Sequence, residues 1–121
     1  MKLFVWNIQQ GGGQRKDRIA ASILSHDPDV VALIEFVPGS AKPLLGALSA
    51  DGGFEHSLCT VRRNFGYAIC VLSRYPIAAR ESGIGLLDES GLWLETVFPS
   101  LGFSLGVVHA PTSPRTRMKA F

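Results

Sequence analysis

The chain has 121 residues, of which 46% are hydrophobic and 18% charged. That is enough for one small domain with its own core, and it excludes an intrinsically disordered segment. A net charge of +2 is too small to argue for a nucleic-acid binder, no apolar run is long enough for a bilayer, and the N-terminus does not read as a signal peptide.

The stretch from Lys2 to Ile8 alternates loosely and is rich in Phe, Val and Trp, which predicts a first strand. Gly11-Gly12-Gly13 follows in a flexible loop, and no Gly-Lys-Ser/Thr makes it a phosphate-binding P-loop. Ile19, Ala20, Ile23 and Leu24 fall at helical spacing, so Arg15–Ser25 is a helix that ends before Asp27-Pro28. Val30-Val31-Ala32-Leu33-Ile34 has no polar face. It predicts a strand covered on both sides, with Glu35 where the strand emerges. Ser40 is placed to cap a second helix running to about Ala50, striped with Leu44, Leu45 and Leu48 and stopped by Asp51-Gly52-Gly53.

From Phe54 the pattern turns to strands, near Phe54–Thr60, Tyr67–Ser73, Ile77–Ile84, Leu92–Phe98 and Phe103–His109. Arg115–Phe121 reads as the start of a helix. The order β-α-β-α-β-β-β-β-β joins a crossover unit to an antiparallel meander, with no linker or repeat, so residues 1–121 form a single domain or part of one. Cys59 and Cys70 lack the spacing of a zinc site or a disulfide framework, and read as reduced core residues of a cytoplasmic protein.

Three polar residues stand at predicted strand ends: Asn7, Glu35 and His109. If those strands lie side by side, the three converge on one edge. Glu35 offers a hard carboxylate oxygen for Mg²⁺; otherwise it is an acid that merely opens a surface loop. Asn7 can orient a carboxylate or donate to a phosphate oxygen, or else form a turn. His109 carries an imidazole, a side-chain type that can move a proton, or else it bonds only to backbone. His26 reads as a helix-end residue, His56 as a sheet-surface residue, and Trp6 and Trp93 as core. Basic residues cluster at Arg15, Lys16 and Arg18, at Arg62 and Arg63, and at Arg115, Arg117 and Lys119. They either face a polyanion or form solvated surface, and Arg62 and Arg63 are candidate phosphate contacts.

These stretches resemble a known family. Phe4-Val5-Trp6-Asn7-Ile8 resembles the first motif of the endonuclease/exonuclease/phosphatase superfamily, and Pro28-Asp29-Val30-Val31-Ala32-Leu33-Ile34-Glu35 its second. Asn64 to Ile77 resembles the family's glycine-then-apolar strand ending in Ser-Arg-x-Pro-Ile, and Val107-Val108-His109-Ala110-Pro111 the histidine-bearing strand of deoxyribonuclease-I-like members. The motifs occur in family order along nearly the whole chain. The resemblance implies an α/β (α+β) fold, half or most of a two-sheet β-sandwich with a mixed sheet and flanking helices. It implies a phosphoesterase using Mg²⁺, or Mn²⁺, on phosphodiesters or phosphomonoesters, with nucleic acid the favoured substrate. By position, Glu35 would bind metal, Asn7 would support the scissile phosphate, and His109 would act as acid/base or phosphate contact.

Family members continue into a Gly-Asp-Phe-Asn-like segment and, later, a Ser-Asp-His-like segment, and neither occurs in these residues. The resemblance therefore covers roughly the N-terminal half of a family domain. A carboxylate often orients the equivalent histidine, and Glu55 and Glu95 are the candidates. The alternative expectation is a C-terminally truncated, catalytically incomplete fragment. Its open sheet face would pair with a second copy or a complementary chain.

Overall fold

The computed structural model describes residues 1–60, 67–81, 83 and 91–110. The apolar run Val30–Ile34 becomes the body of β2 (Val30–Phe36), and it is joined by β4 (Ala68–Ser73), in which every residue is buried. Such strands need cover on both faces, and they receive it. Among the described residues they form the centre of a four-stranded sheet ordered β1-β2-β4-β3, with β1 at Leu3–Asn7 and β3 at His56–Cys59. β1 and β2 are parallel, while β4 is antiparallel to both β2 and β3, so the sheet is mixed as expected.

Period-two alternation sorts the side chains. Val31, Leu33, Cys70 and Leu72 face two helices, α1 (Lys16–His26) and α2 (Lys42–Gly52), and pack on Ile19, Ile23, Leu44 and Leu48. Val30, Ala32, Ile69 and Val71 face the other way, onto Leu94, Phe98 and Val107 of a second sheet. That sheet is antiparallel, ordered β5-β6-β7, with β5 at Ala78–Arg80, β6 at Trp93–Phe98 and β7 at Phe103–Val108. The architecture is three layers: helices, mixed sheet, antiparallel sheet. It agrees with the predicted sandwich flanked by helices.

Several boundaries moved. Ser40 does not cap α2. Pro38–Ser40 closes a short 3₁₀ turn and the Ser40 hydroxyl donates to the Val37 carbonyl at 3.4 Å. Ala41 takes the N-cap position, because Pro43, which has no N–H to satisfy, fixes the first helical turn there. β5 ends at Arg80 rather than continuing past it, and Gly83 has φ +82°, outside extended geometry. Cys59 is exposed, not core: among the described residues β3 is the edge of its sheet, while Cys70, opposite it on the next strand inward, is buried. The expected helix at Arg115–Phe121 and the pair Arg62 and Arg63 lie outside the described residues.

The Ser-Arg-x-Pro stretch proves structural. Ser73 Oγ accepts the Tyr75 N–H at 2.9 Å. Arg74 donates from Nε to the Gly52 carbonyl at 2.8 Å and from Nη2 to Asp27 at 2.7 Å, with its guanidinium 4.9 Å from the centre of the Phe54 ring. One side chain thus ties the C-terminal ends of both helices to the sheet.

Candidate functional site

Glu35 owes its position to a defect in the ladder. Ile34 pairs with Ile69 and Phe36 with Ala68, so two residue steps on β2 oppose one on β4. Glu35 is the extra residue of a β-bulge, and its φ of 62° lies in the left-handed region that L-residues avoid. The bulge resets the alternation. Phe36 returns to the helix side and is fully buried there, while Glu35 is turned out at the rim of the sheet. Left-handed glutamates are uncommon and cluster at functional positions.

Asn7 ends β1 directly beside Ile34. Its Oδ1 accepts the Gln9 N–H at 2.9 Å, an Asx turn that folds the chain over the ends of β1 and β2. Gln9 and Gln10 are both left-handed (φ 56° and 55°), and the Gln10 N–H then donates to Glu35 Oε1 at 3.3 Å. Gly11 and Gly12 make this return possible: both have positive φ, and a Cβ would stand 2.7 Å from Val37 Cγ2 at Gly11 and 2.7 Å from Ile19 Cδ1 at Gly12. Arg15 locks the loop from below, donating to the carbonyls of Ile8 (2.9 Å) and Gln9 (3.2 Å). Lys16 likewise reaches the Gly13 carbonyl at 2.9 Å. Two members of the first basic cluster are therefore engaged with backbone.

His109 arrives from the second sheet. Met1, Leu3, Val30, Phe103 and Leu105 line one cavity of about 340 Å³, which puts the starts of β1, β2 and β7 together. Phe103 and Leu105, early in β7, thus lie against the starts of β1 and β2. Leu105 and Val107 pack between the sheets, and His109 continues that alternation inward. Its backbone N–H donates to the Leu92 carbonyl at 2.9 Å. Its Nδ1 is buried and, among the described residues, has no hydrogen-bond partner. The expected orienting carboxylates are elsewhere. Glu55 precedes β3 at the opposite end of the sheet, and Glu95 lies 3.9 Å from Arg80 across the β5–β6 ladder.

The donor set suits a hard cation in a limited way. Among the described residues, no three His, Cys, Asp or Glu side chains gather into a ligand cluster. Glu35 supplies one carboxylate, and Mg²⁺ is commonly held by one or two carboxylates while keeping water and substrate oxygens for its other positions. A lone rim carboxylate at a bulge, beside an amide oxygen, fits that pattern and would not fit a zinc site, which needs three or four protein ligands.

Sequence reasoning singled out Asn7 and Glu35 as candidates but missed the bulge and the bracing by Gln10 and Arg15. The available signal was the triple glycine followed within two residues by arginine, a loop able to turn back on itself with a donor to tie it.

The chain thus packs a helix-backed mixed sheet on an antiparallel sheet, with Asn7 and Glu35 at one end of the mixed sheet. A family model described as Endonuclease/Exonuclease/phosphatase family matches residues 4–120, and the chain belongs to that family. No curated protein sequence matches it. Among solved structures, it is similar to the crystal structure of humanized D. rerio TDP2 carrying 14 mutations, with 15% identity and a TM-score of 0.61. That likeness is one of fold. The match covers 98% of this chain and 51% of the other, so the chain spans about half the length of that relative.

Proposed function

We propose that this chain carries the metal-binding side of a phosphoesterase site, acting on phosphodiesters with nucleic acid as the favoured substrate class. The supporting observation is Glu35, held in a left-handed bulge at the same sheet end as Asn7. Glu35 would hold Mg²⁺ or Mn²⁺, which when bound supplies positive charge to a phosphate oxygen. Asn7, fixed by its Asx turn, keeps its amide NH₂ for a phosphate oxygen. His109 offers an imidazole that holds or moves a proton at the reacting oxygen. Arg62 and Arg63 are proposed phosphate contacts from the β3–β4 connection.

The test is Mg²⁺-dependent hydrolysis of a generic phosphodiester, with Glu35→Ala as control. Activity abolished by that substitution is expected. Activity indifferent to it would overturn the assignment of Glu35.

A second reading is favoured by one surface. Leu3 and Val5 lie on the face of β1 that looks toward the second sheet, yet they are 45% and 55% exposed, and Phe103 of β7, which lines the same cavity as Leu3, is 39% exposed. Among the described residues, β1 and β7 are edge strands of their sheets. In this reading the chain is incomplete alone and pairs through that face with a second copy or a complementary chain. A compact monomer by sedimentation that binds no hydrophobic dye would refute it.

A further inference from the structure

Cys59 and Cys70 stand directly opposite each other on β3 and β4. The type of opposition matters. The next pair, Thr60 and Ile69, is a hydrogen-bonded one: the Thr60 N–H donates to the Ile69 carbonyl at 2.9 Å, and the Ile69 N–H donates to Thr60 Oγ1 at 2.9 Å. Antiparallel pairs alternate, so Cys59 and Cys70 occupy a non-hydrogen-bonded position, where Cα atoms approach to about 4.5 Å and side chains are closest. That separation falls inside the range a disulfide spans without backbone movement. Both thiols are free. Cys59 is exposed and Cys70 is buried beneath the helices, so reagents meet the first and not the second.

We propose that Cys59 and Cys70 form a peroxide-oxidised modification site, with Cys59 the attacked thiol and Cys70 the resolving one. The Cys59 thiolate attacks one oxygen of hydrogen peroxide. The O–O bond breaks, water leaves after taking a proton, and Cys59 becomes a sulfenic acid. The Cys70 sulfur, losing its proton, then attacks the Cys59 sulfur and expels a second water, leaving a disulfide between β3 and β4. One peroxide is reduced and two thiols are oxidised in total. The neighbouring Cys70 thiol holds the Cys59 thiol below the ordinary thiol range, while Cys59 and burial push the Cys70 thiol up. This division matches the two roles. The bond would pin the edge strand to β4, whose other neighbour is the strand bearing Glu35.

The test treats the full chain with hydrogen peroxide and reads intact mass and peptide links under non-reducing conditions. The expected product has lost two hydrogens, contains a Cys59–Cys70 cross-link, and returns to the starting mass with dithiothreitol. Cys70→Ser should instead accumulate a Cys59 sulfenic acid that dimedone traps, at least tenfold above the intact chain. Cys59→Ser, an exposed change that leaves the fold intact, should leave Cys70 unmodified. Accumulation of Cys59 sulfinic acid in the intact chain, or only intermolecular dimers, would overturn the proposal. So would oxidation of Cys70 in the Cys59→Ser chain at the original rate.

Discussion

The bulge at Glu35 makes a measurable claim about stability that is independent of catalysis. A left-handed L-residue costs roughly 1–2 kcal/mol relative to the right-handed or extended regions. Replacing Glu35 by glycine removes that strain but adds conformational freedom to the unfolded chain, worth about 0.4–1 kcal/mol against folding. Both Glu35→Gly and Glu35→Ala lose the 3.3 Å contact from the Gln10 N–H, about 0.5 kcal/mol for a long bond at a solvated rim. Alanine keeps the strain. The glycine variant should therefore be more stable than the alanine variant by about 0.5–1 kcal/mol. With a urea slope of about 1–1.5 kcal/mol/M, the midpoint of Glu35→Gly should lie roughly 0.5 M above that of Glu35→Ala. Chemical denaturation followed by tryptophan fluorescence reads this directly through Trp6 and Trp93. Equal midpoints, or alanine the more stable, would show that residue 35 is not held in left-handed geometry and would remove the bulge from the account of the site.

Leu48→Ala, a fully buried position between helix and sheet, should lower unfolding stability by about 2–5 kcal/mol, whereas Leu3→Ala on the open face should change it by less than about 0.5 kcal/mol. A Leu3 effect as large as that of Leu48, in calorimetry, would mean that face is covered. Arg74→Ala should cost about 1–3 kcal/mol, mostly through the orphaned Gly52 carbonyl and the lost Phe54 contact, since Asp27 is exposed and its ion pair adds little. It should leave metal-dependent hydrolysis by the folded chain unchanged, and a fall in the rate without a fall in the urea midpoint would contradict the structural role. Cys59 should react with iodoacetamide at lower pH than a simple thiol, because the neighbouring Cys70 holds its pKa below the ordinary thiol value. Replacing Cys70 by Ser should shift the pH profile, and an unchanged profile would exclude the thiol pair as the cause.

Much of this was readable in the residues, for physical reasons. The unbroken apolar run before Glu35 has no solvent-tolerant face, so it had to become an interior strand, and β2 spans it. Ile19, Ala20 and Ile23 share a helical stripe, and α1 buries all three. Phe103, Leu105, Val107 and His109 share one parity, which aims the histidine inward. The bulge was hidden, because an all-apolar strand gives no alternation to break; only Phe36, buried on the helix side after an acid, betrays the reset. Ser40 failed as a cap because Pro43 decided where α2 starts. Cys59 failed as core because edge position is a property of strand order, which no local pattern encodes. The role of Arg74 was not legible, because its partners Gly52 and Asp27 are far from it in sequence and only the fold brings them to it.

Strand order also governs how this chain is made. β4 sits between β2 and β3, though it follows both in sequence. As the chain leaves the ribosome, β1 and β2 can pair at once, but the far edge of β2 has no partner until Ala68–Ser73 has emerged. Through that interval the apolar run Val30–Ile34 has an open edge. An unpaired apolar strand edge is open to pairing with other chains, and the arrival of β4, which pairs with β2 on one side and β3 on the other, closes it.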